Sequence, residues 1–303
     1  MQPRMNFFQR LWRVAYPLLI WFGISIMVES VFMIIPAVQA FSEPDVFHSF
    51  ELTDRALEYV LDWTLENSLL ITLVSDAIAA VVLFMFCLLD GRGKEKNSPL
   101  KSFTVKKPLA FIVCLCTAVA SCILFEVVLS FIVSVVTTFG GTTESFDEVS
   151  DIISNSGMLM QVITVVVVGP ICEEMLMRAV IYRRMRTCHG FWFSAIASAA
   201  IFGVIHGNWV QFVYAFIVGF IIAYVYEMTG NLLMPIIFHM TINGISTLMG
   251  TEALGPYFEN LMYGPIMGIT FIVCGAAIAT GMLALRKYRD CEKEKLENLR
   301  KSY

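Results

Sequence analysis

Apolar runs about as long as a bilayer is thick recur throughout this chain, centred on 14–40, 65–89, 108–137, 156–181, 190–206, 210–228, 231–249 and 262–285. A run of roughly 20 such residues crosses the hydrocarbon core as a helix, because in lipid the backbone must satisfy its own polar groups. Hydrophobic residues make up 57% of the 303, charged residues only 15%, and mean hydropathy is +0.72. A soluble fold has no core large enough to hide that much apolar surface. The pattern predicts an all-α, polytopic bundle of about eight transmembrane helices.

Charge placement gives the runs a direction. Lys and Arg collect at Arg4, Arg10 and Arg13, over Arg92 to Lys107, at Arg183, Arg184 and Arg186, and over Arg286 to Lys301. The alternate loops hold acids instead: Glu43, Asp45, Glu51, Asp54, Glu58 and Asp62, then Glu144, Asp147, Glu148 and Asp151, with Arg55 the one basic exception. Basic loops stay in the cytoplasm, so both termini are expected there, and an even helix count keeps every later loop on its proper side. The N-terminal run ending at Val38-Gln39-Ala40 has the order of a signal peptide, but it is too long for one and contains Glu29. The polar stretches 41–63, 90–107 and 138–155 read as loops, and 286–303 as a short charged helical tail. Residues 1–303 therefore read as a single integral membrane domain in a cell membrane. The eight cysteines lie in spans or on the cytoplasmic side, which argues against disulfides, and their spacing makes no zinc motif. With no Gly-rich phosphate loop or free-standing basic patch, nucleic acid is excluded as a partner.

Ionisable residues inside such runs call for a functional reason. The fourth run carries Glu173-Glu174-x-x-x-Arg178 just after Pro170, the fifth ends in Phe202-x-x-x-His206, and the seventh holds His239-x-x-x-Asn243. Glu174 and Arg178 stand at i and i+4 with the acid first, the favourable orientation for a helical ion pair. Glu173 is turned about 100° away and is left for chemistry. Glu173 and His206 can hold and deprotonate a water. His239 and Asn243, one turn apart on one face, can both aim donors at a developing oxyanion. Counted along the helices, Glu173 and His239 fall near mid-depth, whereas His206 lies about 24 Å from the cytoplasmic edge. Tilt or bending of the fifth helix is then needed to join them.

The same three motifs in this order resemble the CPBP family, whose members include CAAX prenyl endopeptidases and Abi-type bacteriocin-processing and immunity proteins. The resemblance covers about 156–249. It implies an intramembrane endopeptidase in which Glu173 and His206 are the catalytic acid/base pair, His239 and Asn243 form the oxyanion hole, and Glu174 with Arg178 supports the site. The implied partners are the bilayer and a peptide or protein substrate at or in it, such as a prenylated tail, a bacteriocin precursor or a regulatory membrane protein. The expected site opens toward the cytoplasm.

Two questions stay open at this level. Glu173, His206 and His239 match in type a two-histidine, one-carboxylate zinc site; no cofactor is favoured, because Asn243 is a poor zinc ligand and a good oxyanion donor. Glu29, Asp76, Glu126 and Glu227, in or near other spans, would suit a proton-coupled transporter, but no inverted repeat accompanies them. A non-catalytic immunity or peptide-binding protein is the third class. Signatures of other intramembrane proteases, His-Glu-x-x-His and Gly-x-Gly-Asp, are missing.

Overall fold

The computed structural model describes residues 6–42, 50–91, 108–140, 142–259 and 264–301. The basic stretch 92–107 therefore lies outside the described residues. Eleven helices follow one another: α1 (Phe7–Ser42), α2 (Phe50–Glu66), α3 (Ser68–Gly91), α4 (Pro108–Thr138), α5 (Glu144–Asn155), α6 (Met158–Arg186), α7 (Phe191–Val204), α8 (Trp209–Thr229), α9 (Leu233–Met249), α10 (Gly255–Glu259) and α11 (Gly264–Lys301). There is no strand among the described residues, and the chain is an all-α polytopic membrane bundle.

Six helices, α1, α3, α4, α6, α8 and α11, are long and apolar enough to cross a membrane. The other two expected spans, α7 and α9, are apolar helices of 14 and 17 residues. Large apolar side chains such as Leu19, Phe22, Ile26, Val81 and Ile272 stay exposed; in a bilayer these face lipid, which solvates them at no cost. The loop readings of 41–63 and 138–155 need correction, because they contain the helices α2 and α5. In α5, Phe146, Val149 and Ile153 recur at helical spacing and turn inward, leaving Glu144, Asp147, Glu148 and Asp151 exposed.

Two apolar cores organise the bundle. One joins α4, α8, α9 and α11 through Cys122, Phe125, Ile222, Phe238 and Ile278. The other joins α3 and α6 through Leu83, Leu176, Met177 and Val180, with Phe202 from α7 and flanking contacts from α1. Small residues set the closest approach. A Cβ on Gly219 of α8 would lie 3.1 Å from Phe202 Cδ1 and 3.3 Å from Ala199 Cα, so α7 and α8 pack nearly backbone to backbone. Asn208 caps α8 by accepting from Gln211 N at 2.8 Å, and Gly230 ends it in the left-handed conformation at φ 60°.

Arginine clamps bind the helix ends that carry the basic residues. Arg184 of α6 donates to Asp90 of α3 at 2.8 and 3.3 Å and to Arg13 O of α1 at 2.6 Å, and it stacks 4.7 Å over the Tyr16 ring. Arg186 bonds Glu227 of α8 at 2.7 and 3.1 Å. The start of α1 and the ends of α3, α6 and α8 therefore lie together, as alternating spans require. Arg184→Ala should cost about 1–3 kcal/mol, since it strands a partly buried Asp90, and should lower the unfolding midpoint in detergent. Arg289→Ala should leave that midpoint nearly unchanged, because among the described residues the ion pair of Arg289 is with its exposed neighbour Asp290.

Candidate active site

The site begins with a defect in α6. This helix is π-helical over Val162–Val168 and again over Met175–Tyr182, with an α-helical turn, Gly169–Glu174, between them. Pro170 has no amide hydrogen, and the Gly169 amide bonds Thr164 O. Those two amides are the ones able to reach Val165 O along the helix, so that carbonyl lacks an intrahelical donor. Asn243 of α9 supplies it, Nδ2 donating at 2.8 Å. At Pro170 the helix is thus widened, with one carbonyl turned to a neighbour.

One turn further on, the two glutamates part company. Glu174 is fully buried and holds Arg178 Nε at 3.1 Å and His239 Nδ1 at 2.9 Å, one partner on each carboxylate oxygen. Arg178 also donates from Nη2 to Gly219 O at 2.9 Å and lies 5.2 Å over the Phe202 ring. The Phe202 ring in turn meets His206 and His239 edge to face, with centroids 4.8 and 5.7 Å apart. Glu173 keeps 26% of its side chain accessible and approaches His239 Nε2 at 3.7 Å, too long for a direct hydrogen bond. Of the two acids it is the one a reactant can reach. His206 Nδ1 sits 2.7 Å from Phe202 O; a carbonyl only accepts, so Nδ1 carries the hydrogen and Nε2 of the neutral ring holds a lone pair.

Glu173, His206, His239 and Asn243 all line one cavity of about 940 Å³. The depth mismatch expected from sequence does not keep them apart: His206 lines the same cavity as Glu173 and His239, and the Phe202 ring stands against both imidazoles. The cavity continues past Glu126 and Ser246 to Ser154, Met158 and Gly250, which are exposed or lie at the ends of α5, α6 and α9. It therefore opens at the end of the bundle opposite the arginine clamps. The mouth expected toward the cytoplasm and the basic ends expected in the cytoplasm thus lie at opposite ends of the bundle.

Several contributors carry no motif. Gly169 keeps the floor clear, for a Cβ there would stand 3.0 Å from Thr164 O and about midway between Asp76 Oδ2 and Glu173 Oε1, at 3.9 and 4.0 Å. Gly219 serves through its carbonyl, which leaves no side-chain signal. Asp76 and Glu126, read from sequence only as unassigned membrane acids, both line the cavity; Glu29 and Glu227 do not. Among the described residues no group of three His, Cys, Asp or Glu side chains is placed to hold a metal ion. Glu173, His206 and His239 share the cavity without forming a zinc cage.

This arrangement defines a multi-pass membrane protein with an acid, imidazole and amide constellation within the bundle. Residues 155–245 match the family model described as Type II CAAX prenyl endopeptidase Rce1-like. The chain is also 28% identical over 120 residues to the Bacillus subtilis (strain 168) protein named "Putative membrane peptidase YdiL", covering 40% of this chain and 48% of that protein. The chain thus spans about half the length of this relative. No solved structure matches it significantly. Both matches support the CPBP family for this chain.

The buried pair makes a clear test. Arg178→Ala would leave Glu174 as an unneutralised charge, at a cost of roughly 3–5 kcal/mol, and should lower folded yield in detergent. Arg178→Lys should be milder but still harmful, because an ammonium cannot span Glu174 and Gly219 O as the guanidinium does. Folded Arg178→Ala protein at wild-type yield would show the pair to be dispensable for folding.

Proposed function

We propose that this protein is an intramembrane endopeptidase of the CPBP type, hydrolysing a peptide bond in a membrane-associated substrate. The observation that carries the reading is the meeting of Glu173, His206, His239 and Asn243, from three different helices or their ends, in one cavity. In this mechanism the Glu173 carboxylate takes a proton from water as the oxygen attacks the scissile carbonyl carbon, with His206 Nε2 holding the same water. The carbonyl π electrons move to oxygen, giving a tetrahedral oxyanion. Asn243 has a second amide hydrogen beyond the one given to Val165 O, and His239 Nε2, 3.7 Å from Glu173, is the second group turned toward the oxyanion. Collapse of the oxyanion breaks the C–N bond, and Glu173 returns its proton to the departing amine.

Glu174 is then more than a counter-ion to Arg178. By accepting from His239 Nδ1 it fixes the ring so that Nε2 faces the reacting centre, the role that a carboxylate plays behind a catalytic imidazole. Glu173→Gln and His206→Ala should each abolish cleavage while membrane insertion persists, read by comparing membrane proteomes for a substrate that accumulates uncut. Asn243→Ala should lower turnover by about 10²–10³-fold, the loss typical of one preorganised donor, and activity should survive chelators. Cleavage by purified Glu173→Gln protein at the wild-type rate would overturn the reading.

The side of the membrane follows from combining cavity and charge. With the arginine-clamped ends in the cytoplasm of a plasma membrane, the cavity opens to the other side. That favours a substrate presented from the non-cytoplasmic leaflet, such as a secreted peptide precursor or a membrane protein segment, over a prenylated tail made in the cytoplasm. Ser154→Cys, in a chain whose exposed Cys116 and Cys291 and half-buried Cys188 are replaced by serine, should react with a membrane-impermeant maleimide in intact cells. Labelling seen only after the cells are opened would reverse the orientation.

A further inference from the structure

The bundle treats its acids in two ways. On the clamped half, Glu174 pairs with Arg178 at 3.1 Å, Asp90 with Arg184 at 2.8 Å and Glu227 with Arg186 at 2.7 Å. The cavity is lined by Asp76, Glu126, Asp151 and Glu173 and, among the described residues, by no lysine or arginine. Glu126 is the telling member. It projects from the middle of α4, a span of mean hydropathy 2.6, and among the described residues its one hydrogen bond is from Ser246 Oγ to Oε1 at 2.9 Å. A carboxylate at membrane depth is costly unless neutralised, and a serine hydroxyl brings no charge. Ser246 lies one helical turn beyond Asn243 on α9, so this carboxylate stands beside the path between the mouth and the reacting centre.

We propose that Glu126 is a specificity residue, forming with Ser246 a subsite for a cationic side chain, lysine or arginine, of the substrate segment bound at Glu173. The proposal rests on the endopeptidase reading of the same cavity. The physical case is one of complementarity. In a cavity walled by apolar helices the field of the carboxylates is focused and weakly screened, so a cation is drawn in and an anion refused. A cation at Glu126 supplies the neutralising charge that arginines supply elsewhere in the fold. The exposed acids Glu144, Asp147 and Glu148 on α5 carry the same sign out to the mouth and favour approach of the same ligand. Specificity of this kind includes rejection, because an acidic residue at that position meets like charge in a confined space.

Binding tests the subsite without requiring cleavage. Full-length Glu173→Gln protein in nanodiscs is titrated with three fluorescent apolar peptides, identical except for lysine, norleucine or glutamate at one central position. The lysine peptide should bind about fivefold more tightly than the norleucine peptide, on the scale of a partly exposed ion pair, and the glutamate peptide most weakly. Adding Glu126→Gln should remove the lysine preference. Equal affinities for all three peptides, or a lysine preference untouched by Glu126→Gln, would overturn the proposal. The peptide comparison on a chain with Glu126 intact stands even if the double variant misfolds. Failure of the protease reading appears separately, as Glu173-independent cleavage or none.

Discussion

A guanidinium placed where neither water nor lipid headgroups can reach it governs this structure. Arg178 is 1% exposed and Glu174 is fully buried. Ionic groups so deep are tolerated only when their charges and hydrogen-bonding capacity are met by protein. Glu174 meets the charge from within α6, but the remaining demands fall on other helices. Gly219 O of α8 takes one arginine hydrogen, the Phe202 face of α7 covers the guanidinium, and His239 of α9 takes the second oxygen of Glu174. Docking those helices meets part of that demand, with Arg178 Nη1 left without a hydrogen-bond partner among the described residues, and the same act brings His239 within 3.7 Å of Glu173 and His206 into the same cavity. The acid, imidazole and amide constellation is assembled as a consequence of burying one arginine.

The second organising device is an absence in the backbone. Pro170 withholds the amide that would have reached Val165 O, and Asn243 enters as the replacement donor at 2.8 Å. This also settles the orientation of the Asn243 amide, since a carbonyl requires a donor and therefore Nδ2 opposite it. One of its hydrogens is thus committed to the fold and one remains for function. Placing the π-helical turns of α6 at the site is in keeping with where such turns usually occur. A regular α-helix through Glu173 would bond Val165 O internally and leave Asn243 without its anchor.

These relations show which parts of the site a sequence can reveal. The eight apolar runs became helices because twenty-residue hydrophobicity is a one-dimensional property. The Glu174–Arg178 pair was equally visible, being an i,i+4 relation within a single helix. The bond from Glu174 to His239 joins residues 65 apart, and no periodicity says which of two adjacent carboxylates will meet which histidine. Gly219 was invisible for a different reason, because its contribution is a carbonyl and a missing side chain. Helices α2 and α5 were read as loops because their apolar residues are few and their stretches too polar and short to stand out as helical periods.

The direction of the cavity was the property least accessible from the chain, yet it follows from the two treatments of charge. At the basic ends, arginines reach across α1, α3, α6 and α8 and draw the helices together. Long fork-shaped side chains that pair with carboxylates and carbonyls close that end against water. At the other end the cavity is lined by acids with no arginine among the described residues, and like charges hold the walls of α4, α5 and α6 apart more readily than they join them. Among the described residues, the mouth of the cavity therefore lies on the acidic side. A mixture of signs at both ends would have sealed the bundle twice; segregating them leaves one end clamped and the other open onto Glu173.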